Sequence, residues 1–128
     1  MKNTCTDELE INGTIYIKKD KQLPLAKELN GMKYVLVVSQ GGGIHIGYME
    51  KEDYRPSGKF VTLRNTRRIK YWEGAASVSQ LALLGTSKPA SCQISVELDS
   101  NEIGNILETI IVSEEAKNIL NSVAIWKR

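Results

Sequence analysis

The sequence predicts a mainly β fold with two short helices, an α+β chain whose antiparallel sheet is compact and partly closed or forms a small barrel. Three observations predict it. Apolar and polar residues alternate in several short runs. Turn residues separate the runs, at Asn12-Gly13 and at Gly41-Gly42-Gly43. Two serines, Ser77 and Ser113, stand where helices should begin.

LEINGTIYI (9–17) reads as a hairpin, because Asn-Gly tolerates positive φ at both central positions of a type I′ turn. Leu9 and Ile11 are expected to face Ile15 and Ile17. KKDKQLPLAKELNG (18–31) reads as a polar connection with room for one helical turn. KYVLVVSQ (33–40) is a continuous, largely β-branched run, the mark of a strand buried on both faces. IHIGYME (44–50) alternates and returns as its hairpin partner. The triglycine between them lacks the lysine and serine of a phosphate loop and opens no helix, so it reads as a turn. KEDYRPSG (51–58) is expected to be a surface loop.

KFVTLRN (59–65) alternates again. A strand running unbroken to Trp72 puts Val61, Leu63, Arg67, Ile69 and Tyr71 on one face and Phe60, Arg64, Arg68, Lys70 and Trp72 on the other. Asn65-Thr66 is the place where that register would break. Ser77-Val78-Ser79-Gln80 matches a capping box, with Val78, Leu81 and Ala82 as the buried stripe. Gly85 is placed to close this helix, and Pro89 opposes its continuation. CQISVEL (92–98) reads as a strand with Ile94, Val96 and Leu98 inward. The apolar spacing of 101–113 fits a helix, but its β-branched end favours a strand at 107–112. SEEAKNILNSVAIW (113–126) opens the second helix with a serine cap and two glutamates, and Ile119, Leu120 and Val123 form its inner face.

A chain of 128 residues suits one domain, 1–128. A net charge of +2 is too small for a general polyanion binder, so any phosphate contact should be local. No apolar run approaches the ~20 residues of a membrane span, and MKNTCTDELE lacks a signal-peptide core. Cys5 and Cys92 have no C-x-x-C spacing, which fits free thiols in a cytoplasmic protein. His45 is the only histidine, so neither a zinc site nor a Ser-His-Asp triad can be assembled by familiar rules. His45 reads as a structural strand residue. The inventory predicts a binding protein with no catalytic residue, metal or cofactor.

One segment stands apart. RNTRRIKYWEGAASVSQLALLG (64–85) brings Arg64, Arg67, Arg68 and Lys70 up to Tyr71-Trp72. Arginine forks suit phosphate oxygens, and an aromatic ring stacks on a base for ~1–3 kcal/mol. Gly74, Ala75 and Ser77 are small and lead into a helix start, and Lys88 returns after it. These ten residues are the candidate ligand site, with Arg67, Arg68 and Lys70 on phosphates and Tyr71 or Trp72 on a base. Two other readings stay open at this point. The aromatics can be core with the arginines paired at the surface, or the segment can be an interface, where Trp, Tyr and Arg are enriched. Single-stranded nucleic acid is a further candidate ligand, disfavoured by the single basic segment.

NTRRIKYWEGAASVSQLALLGTSKP (65–89) resembles the motif N-A-R-R-I-W-Y-W-x-G-A-A-S-L-S-Q-L-A-x-x-G-x-S-K-P of an uncharacterised family of small proteins from tailed bacteriophages and prophages. Thr66, Lys70 and Val78 depart from it. INGTIYI, KYVLVV, GIHIGYM, SEEAKNI and VAIW are similar to the family's flanks. The resemblance implies work in the cytoplasm of a bacterial host. By analogy it implies a counter-defence sponge that sequesters a small anionic nucleotide signal without cleaving it. The expected partners are that nucleotide and further copies of the chain. A host defence protein bound and inhibited through the same segment is the alternative.

Overall fold

The computed structural model describes residues 8–11, 14–17 and 23–127. The elements run β1 (Glu8–Ile11), β2 (Thr14–Ile17), β3 (Lys33–Ser39), β4 (Gly43–Arg55), β5 (Gly58–Tyr71), α1 (Val78–Leu84), β6 (Gln93–Ile94), β7 (Leu98–Ile103), β8 (Ile106–Ile111) and α2 (Glu114–Ser122). A short 3-10 turn, Pro89–Ser91, precedes β6. The fold is mainly β with two helices, as expected. The Asn12-Gly13 turn lies outside the described residues. The hairpin around it pairs Leu9 with Tyr16 and Ile11 with Thr14, not with Ile15 and Ile17.

β3 to β8 form one antiparallel sheet, ordered β6-β5-β4-β3-β8, with β7 also on β5. β7 and β8 lie at opposite edges, yet only Gly104 and Asn105 join them. The sheet therefore curls until its edges approach, and Ser39 Oγ and Gln40 N bond the Gly104 and Asn105 carbonyls at 2.6 and 3.0 Å. No β7–β8 ladder forms, so the sheet stops short of a closed barrel.

Each face of the sheet carries its own core. On the convex face Tyr34, Leu36, Ile46 and Ile69 pack with Leu81 and Ala82 of α1 and Ala116 and Leu120 of α2. On the concave face Val35, Val37, Val61, Leu63 and Ile103 pack together. The two-faced burial expected for 33–40 is what β3 shows. Fully burying a Leu, Ile or Val side chain contributes about 1.5–3 kcal/mol, so these two clusters dominate the fold's stability.

The expected single core face of β5 is corrected. Val61 and Leu63 are concave, whereas Ile69 is convex. The switch occurs where Asn65 and Thr66 oppose the single residue Gly47, between the pairs Tyr48–Arg64 and Ile46–Arg67. Asn65 takes φ 50°, the left-handed geometry of a β-bulge. Gly47 makes room, since a Cβ there would sit 2.9 Å from Thr66 Cβ.

Three further expectations are corrected. Residues 51–55 are strand, not loop. β4 and β5 extend to a tight turn at Pro56-Ser57, with Glu52–Lys59 ion-paired across the ladder at 2.7 Å. The described part of 18–31 holds isolated bridges, Leu25–Ser113 and Leu29–Met32, and no helical turn. The predicted strand 92–98 stops after Ile94, leaving Val96 53% and Leu98 47% exposed. The strand at 107–112 and both helices form as expected. Ser77 Oγ accepts from Gln80 N at 3.1 Å, and Ser113 Oγ from Ala116 N at 3.0 Å. Gly85 caps α1 with φ 75°.

Candidate functional site

The cations of 64–70 divide between the two faces of β5 and meet different fates. Arg64 is paired: its Nε donates to the Asp99 carbonyl at 2.9 Å and its Nη1 to Glu50 at 3.4 Å. Arg67 points to the convex side and is 5% exposed. Its guanidinium donates to the carbonyls of Ser95 (2.8 Å), Val123 (3.0 Å), Leu120 (3.3 Å) and Ile94 (3.3 Å). Leu120 and Val123 close α2, where the dipole is negative and the Leu120 carbonyl otherwise has only a long 3.3 Å bond from Val123 N. Burial pushes the Arg67 pKa down, but a guanidinium stays charged in proteins. Arg67 thus joins α2 to the sheet edge and has no fork left for a phosphate, which corrects its expected role.

The small residues after β5 are also occupied. Gly74 takes φ 86°, and a Cβ there would lie 2.5–2.8 Å from Thr86 Oγ1, Lys88 N and Ser87 N. The Glu73 and Gly74 carbonyls accept from Thr86 Oγ1 and Ser87 N. The protein's own 86–88 loop fills the space expected for a ligand. Trp72 packs against the convex core, its Nε1 donating to the Ala75 carbonyl at 3.1 Å. Tyr71 is exposed, and its hydroxyl donates to Glu73 at 2.7 Å, which raises its pKa. Ser77 is engaged as a cap, and Lys88 is exposed beside the 86–88 loop. Trp72, Gly74, Ala75 and Ser77 therefore build a closed support, away from the exposed cations.

Arg68 and Lys70 point the other way from Arg67 and are exposed. Among the described residues the Arg68 guanidinium makes no hydrogen bond or ion pair. Lys70 Nζ stands 3.9 Å from the centroid of the Trp126 ring. The C-terminal tail brings this tryptophan in: Ile125 bridges Ile94 in parallel, and Trp126 N donates to the Ile94 carbonyl at 2.9 Å. Arg68, Lys70, Trp126 and Lys127 line an open groove of about 780 Å³, with Ser95, Val96 and Ile125 as its walls. The cation–aromatic pairing expected within 64–72 is thus made across the chain. The ring is Trp126, not Tyr71 or Trp72. Trp126-Lys127 is one of several adjacent aromatic–cation pairs in the sequence, with Lys33-Tyr34, Tyr54-Arg55 and Lys59-Phe60, and its position 58 residues beyond Arg68 gives no local signal of the contact.

Across β4, His45 pairs with Arg68 and is buried. Its Nε2 lies 2.8 Å from the Gly42 carbonyl. That oxygen can only accept, so Nε2 carries the proton. Burial lowers its pKa, and the nearby Arg68 charge acts in the same direction. Cys92 is a buried free thiol. No cluster of three His, Cys, Asp or Glu suited to a metal occurs among the described residues. No helix among them is long and apolar enough to cross a membrane.

Residues 32–120 match a family model described as a domain of unknown function, DUF6948. The chain belongs to the DUF6948 family. No curated protein and no solved structure matches it. The DUF6948 match spans β3 to Leu120 of α2 and so includes Arg68 and Lys70. Trp126 and Lys127 lie beyond it.

Proposed function

We propose that this DUF6948 protein is a non-catalytic binding protein for a small anionic nucleotide, held in the groove between β5, residues 95–96 and the C-terminal tail. Arg68, Lys70 and Lys127 take the phosphate, and Trp126 takes the ring. The observation that supports this reading is the Arg68 guanidinium, uncommitted among the described residues and set beside the Lys70–Trp126 pair. Forked donors of this kind favour phosphate, and the ring adds a stacking platform. The resemblance to small phage proteins supports a sponge role against host defence signalling in the bacterial cytoplasm. Thermal-shift screening against mono- and dinucleotides, cyclic dinucleotides and ADP-ribose derivatives tests it. A ligand at a hundredfold its Kd adds about 2.7 kcal/mol of stability, and Arg68→Ala should remove most of the shift. Silence across the whole panel would sink the proposal.

A second reading is supported by the exposure of Val96, Ile125 (46%) and Trp126 (38%) around the same groove, with exposed Leu98 close by beside Val96. Apolar and aromatic side chains grouped beside cations suit the centre of an interface, and the partner with matching chemistry is another copy of the chain. Sedimentation across a wide concentration range tests it. An oligomer that Trp126→Ala dissociates, with nucleotides silent, would favour the interface. A host defence protein docked on this surface is the remaining alternative, and it requires capture by a chain that is monomeric by itself.

A further inference from the structure

The Trp126 groove is only one of two depressions that Arg68 borders. The other, of about 340 Å³, opens onto the concave face, with His45, Thr66, Arg67, Leu98 and Asn101 around it, the Arg67 guanidinium being committed to its four carbonyls. Both share Arg68, Ser95 and Val96, so the two depressions adjoin at Arg68 as two lobes. Each lobe falls within the ~300–1,000 Å³ of ordinary ligand pockets.

The lobes differ in chemistry. The Trp126 side is cationic. The His45 side has acceptors at its floor, where His45 and Thr66 are buried, and Asn101 at its wall. The Nε2 proton of His45 is committed to the Gly42 carbonyl, which leaves Nδ1 as an acceptor. The Thr66 hydroxyl donates its proton to the Ile46 carbonyl at 2.7 Å, which leaves its lone pairs. The Asn101 amide has no side-chain bond among the described residues and can donate or accept. Leu98 and Val96 supply apolar wall. Acceptor lone pairs repel a second phosphate and suit hydroxyl or amino donors on an uncharged ring.

Resting on the nucleotide reading above, we infer that the ligand is two-armed. A phosphate bridge sits at Arg68, one ring lies at Trp126, and a second, uncharged hydroxyl- or amine-bearing arm fills the His45–Asn101 lobe. A second nucleoside and a sugar share that chemistry. A mononucleotide leaves the lobe empty.

Isothermal titration of the full chain decides it with four probes: AMP, ADP, the dinucleoside monophosphate ApA, and ADP-ribose. ApA should bind at least tenfold tighter than AMP if the second arm is a nucleoside. ADP-ribose should gain at least tenfold over ADP if it is a sugar. Asn101→Leu should erase either gain and leave AMP and ADP unchanged. Because that variant touches β7, the wild-type ratios stand as a separate measurement that needs no mutant. Equal affinities within both pairs, or a gain that survives Asn101→Leu, would overturn the two-armed ligand. AMP and ADP binding that is lost in Arg68→Ala would then leave the simpler nucleotide reading intact. No binding by any probe would overturn both.

Discussion

Arg67 and Arg68 are adjacent, and their neighbours give them opposite duties. Arg67 satisfies four carbonyls inside the fold, and Arg68 satisfies nothing inside it among the described residues. Removing Arg67 leaves the Ser95 and Val123 carbonyls without that donor, at about 1–3 kcal/mol each before relaxation, while those of Ile94 and Leu120 keep Trp126 N and Val123 N. Arg67→Ala is therefore expected to cost about 3–5 kcal/mol in a denaturant melt, and Arg67→Lys to recover only part, since an ammonium lacks the planar fork. Arg68→Ala should stay within about 0.5 kcal/mol of wild type and lose nucleotide binding. The pair was separable in the sequence only as alternation along a strand. That parity held because the bulge falls before both residues. Across the bulge it failed, and Arg64 lies on the convex side, opposite Tyr48. His45 adds a pH dependence. Burial lowers its pKa in the folded state below its ordinary 6.5, so the unfolded chain binds the proton more readily. Its contribution to stability is complete above the unfolded value and is lost as pH falls through about 6.5 toward the folded value. Melting temperature should decline from about pH 7 to about pH 5. His45→Gln should flatten the decline.

Within the elements, two backbone positions with positive φ set where side chains go. Asn65 makes the bulge that turns Val61 and Leu63 to one core and Ile69 to the other. A β-branched residue resists φ near +50°, so Asn65→Val should destabilise by about 1–2 kcal/mol, whereas Asn65→Gly should be nearly neutral. Gly74 is tighter. A Cβ there meets backbone N–H groups at 2.6 and 2.8 Å in addition to the strained φ, so Gly74→Ala should cost about 2 kcal/mol or more. Gly41→Ala, with φ 82° and open space, controls for the φ effect by itself, and urea midpoints separate the two. Signals contained within one element were legible in the sequence. The serine caps at 77 and 113, the β-branched run of β3 and the Gly85 stop all describe neighbours in the chain. Strand 51–55 escaped because its residues are polar on both faces and are held by ion pairs to other strands, Arg55–Glu102 and Glu52–Lys59, which leave no apolar period. Strand 92–98 was over-read, because Val96 and Leu98 alternate correctly but border an open groove.

Over the whole molecule, the curl of the sheet gives the concave face a dry end and an open end. Val35, Val37, Val61, Leu63 and Ile103 fill the first. His45, Thr66 and Arg68 face the second, where the chain between β6 and β7 leaves the ladder. The C-terminal tail returns beside β6 and completes the groove with Trp126, a partnership of residues far apart in sequence that no local pattern could announce. This arrangement separates stability from binding. The tail contributes one described backbone bond at Trp126 and a cation–π contact of about 0.5–1 kcal/mol at an exposed site, while both cores lie elsewhere. Trp126→Ala should thus melt within about 1–2 kcal/mol of wild type. It should weaken nucleotide binding by roughly tenfold or more, the value of one lost stacking contact of about 1–3 kcal/mol. Raising salt should weaken binding of the same nucleotide only modestly, because a few cations meet one phosphate group rather than a track of them. Titrations of both proteins at low and moderate salt measure each effect. A Trp126→Ala protein that binds at wild-type affinity would remove the tail from the site. A steep salt slope with short oligonucleotides would instead favour a single strand lying along the open end of the sheet.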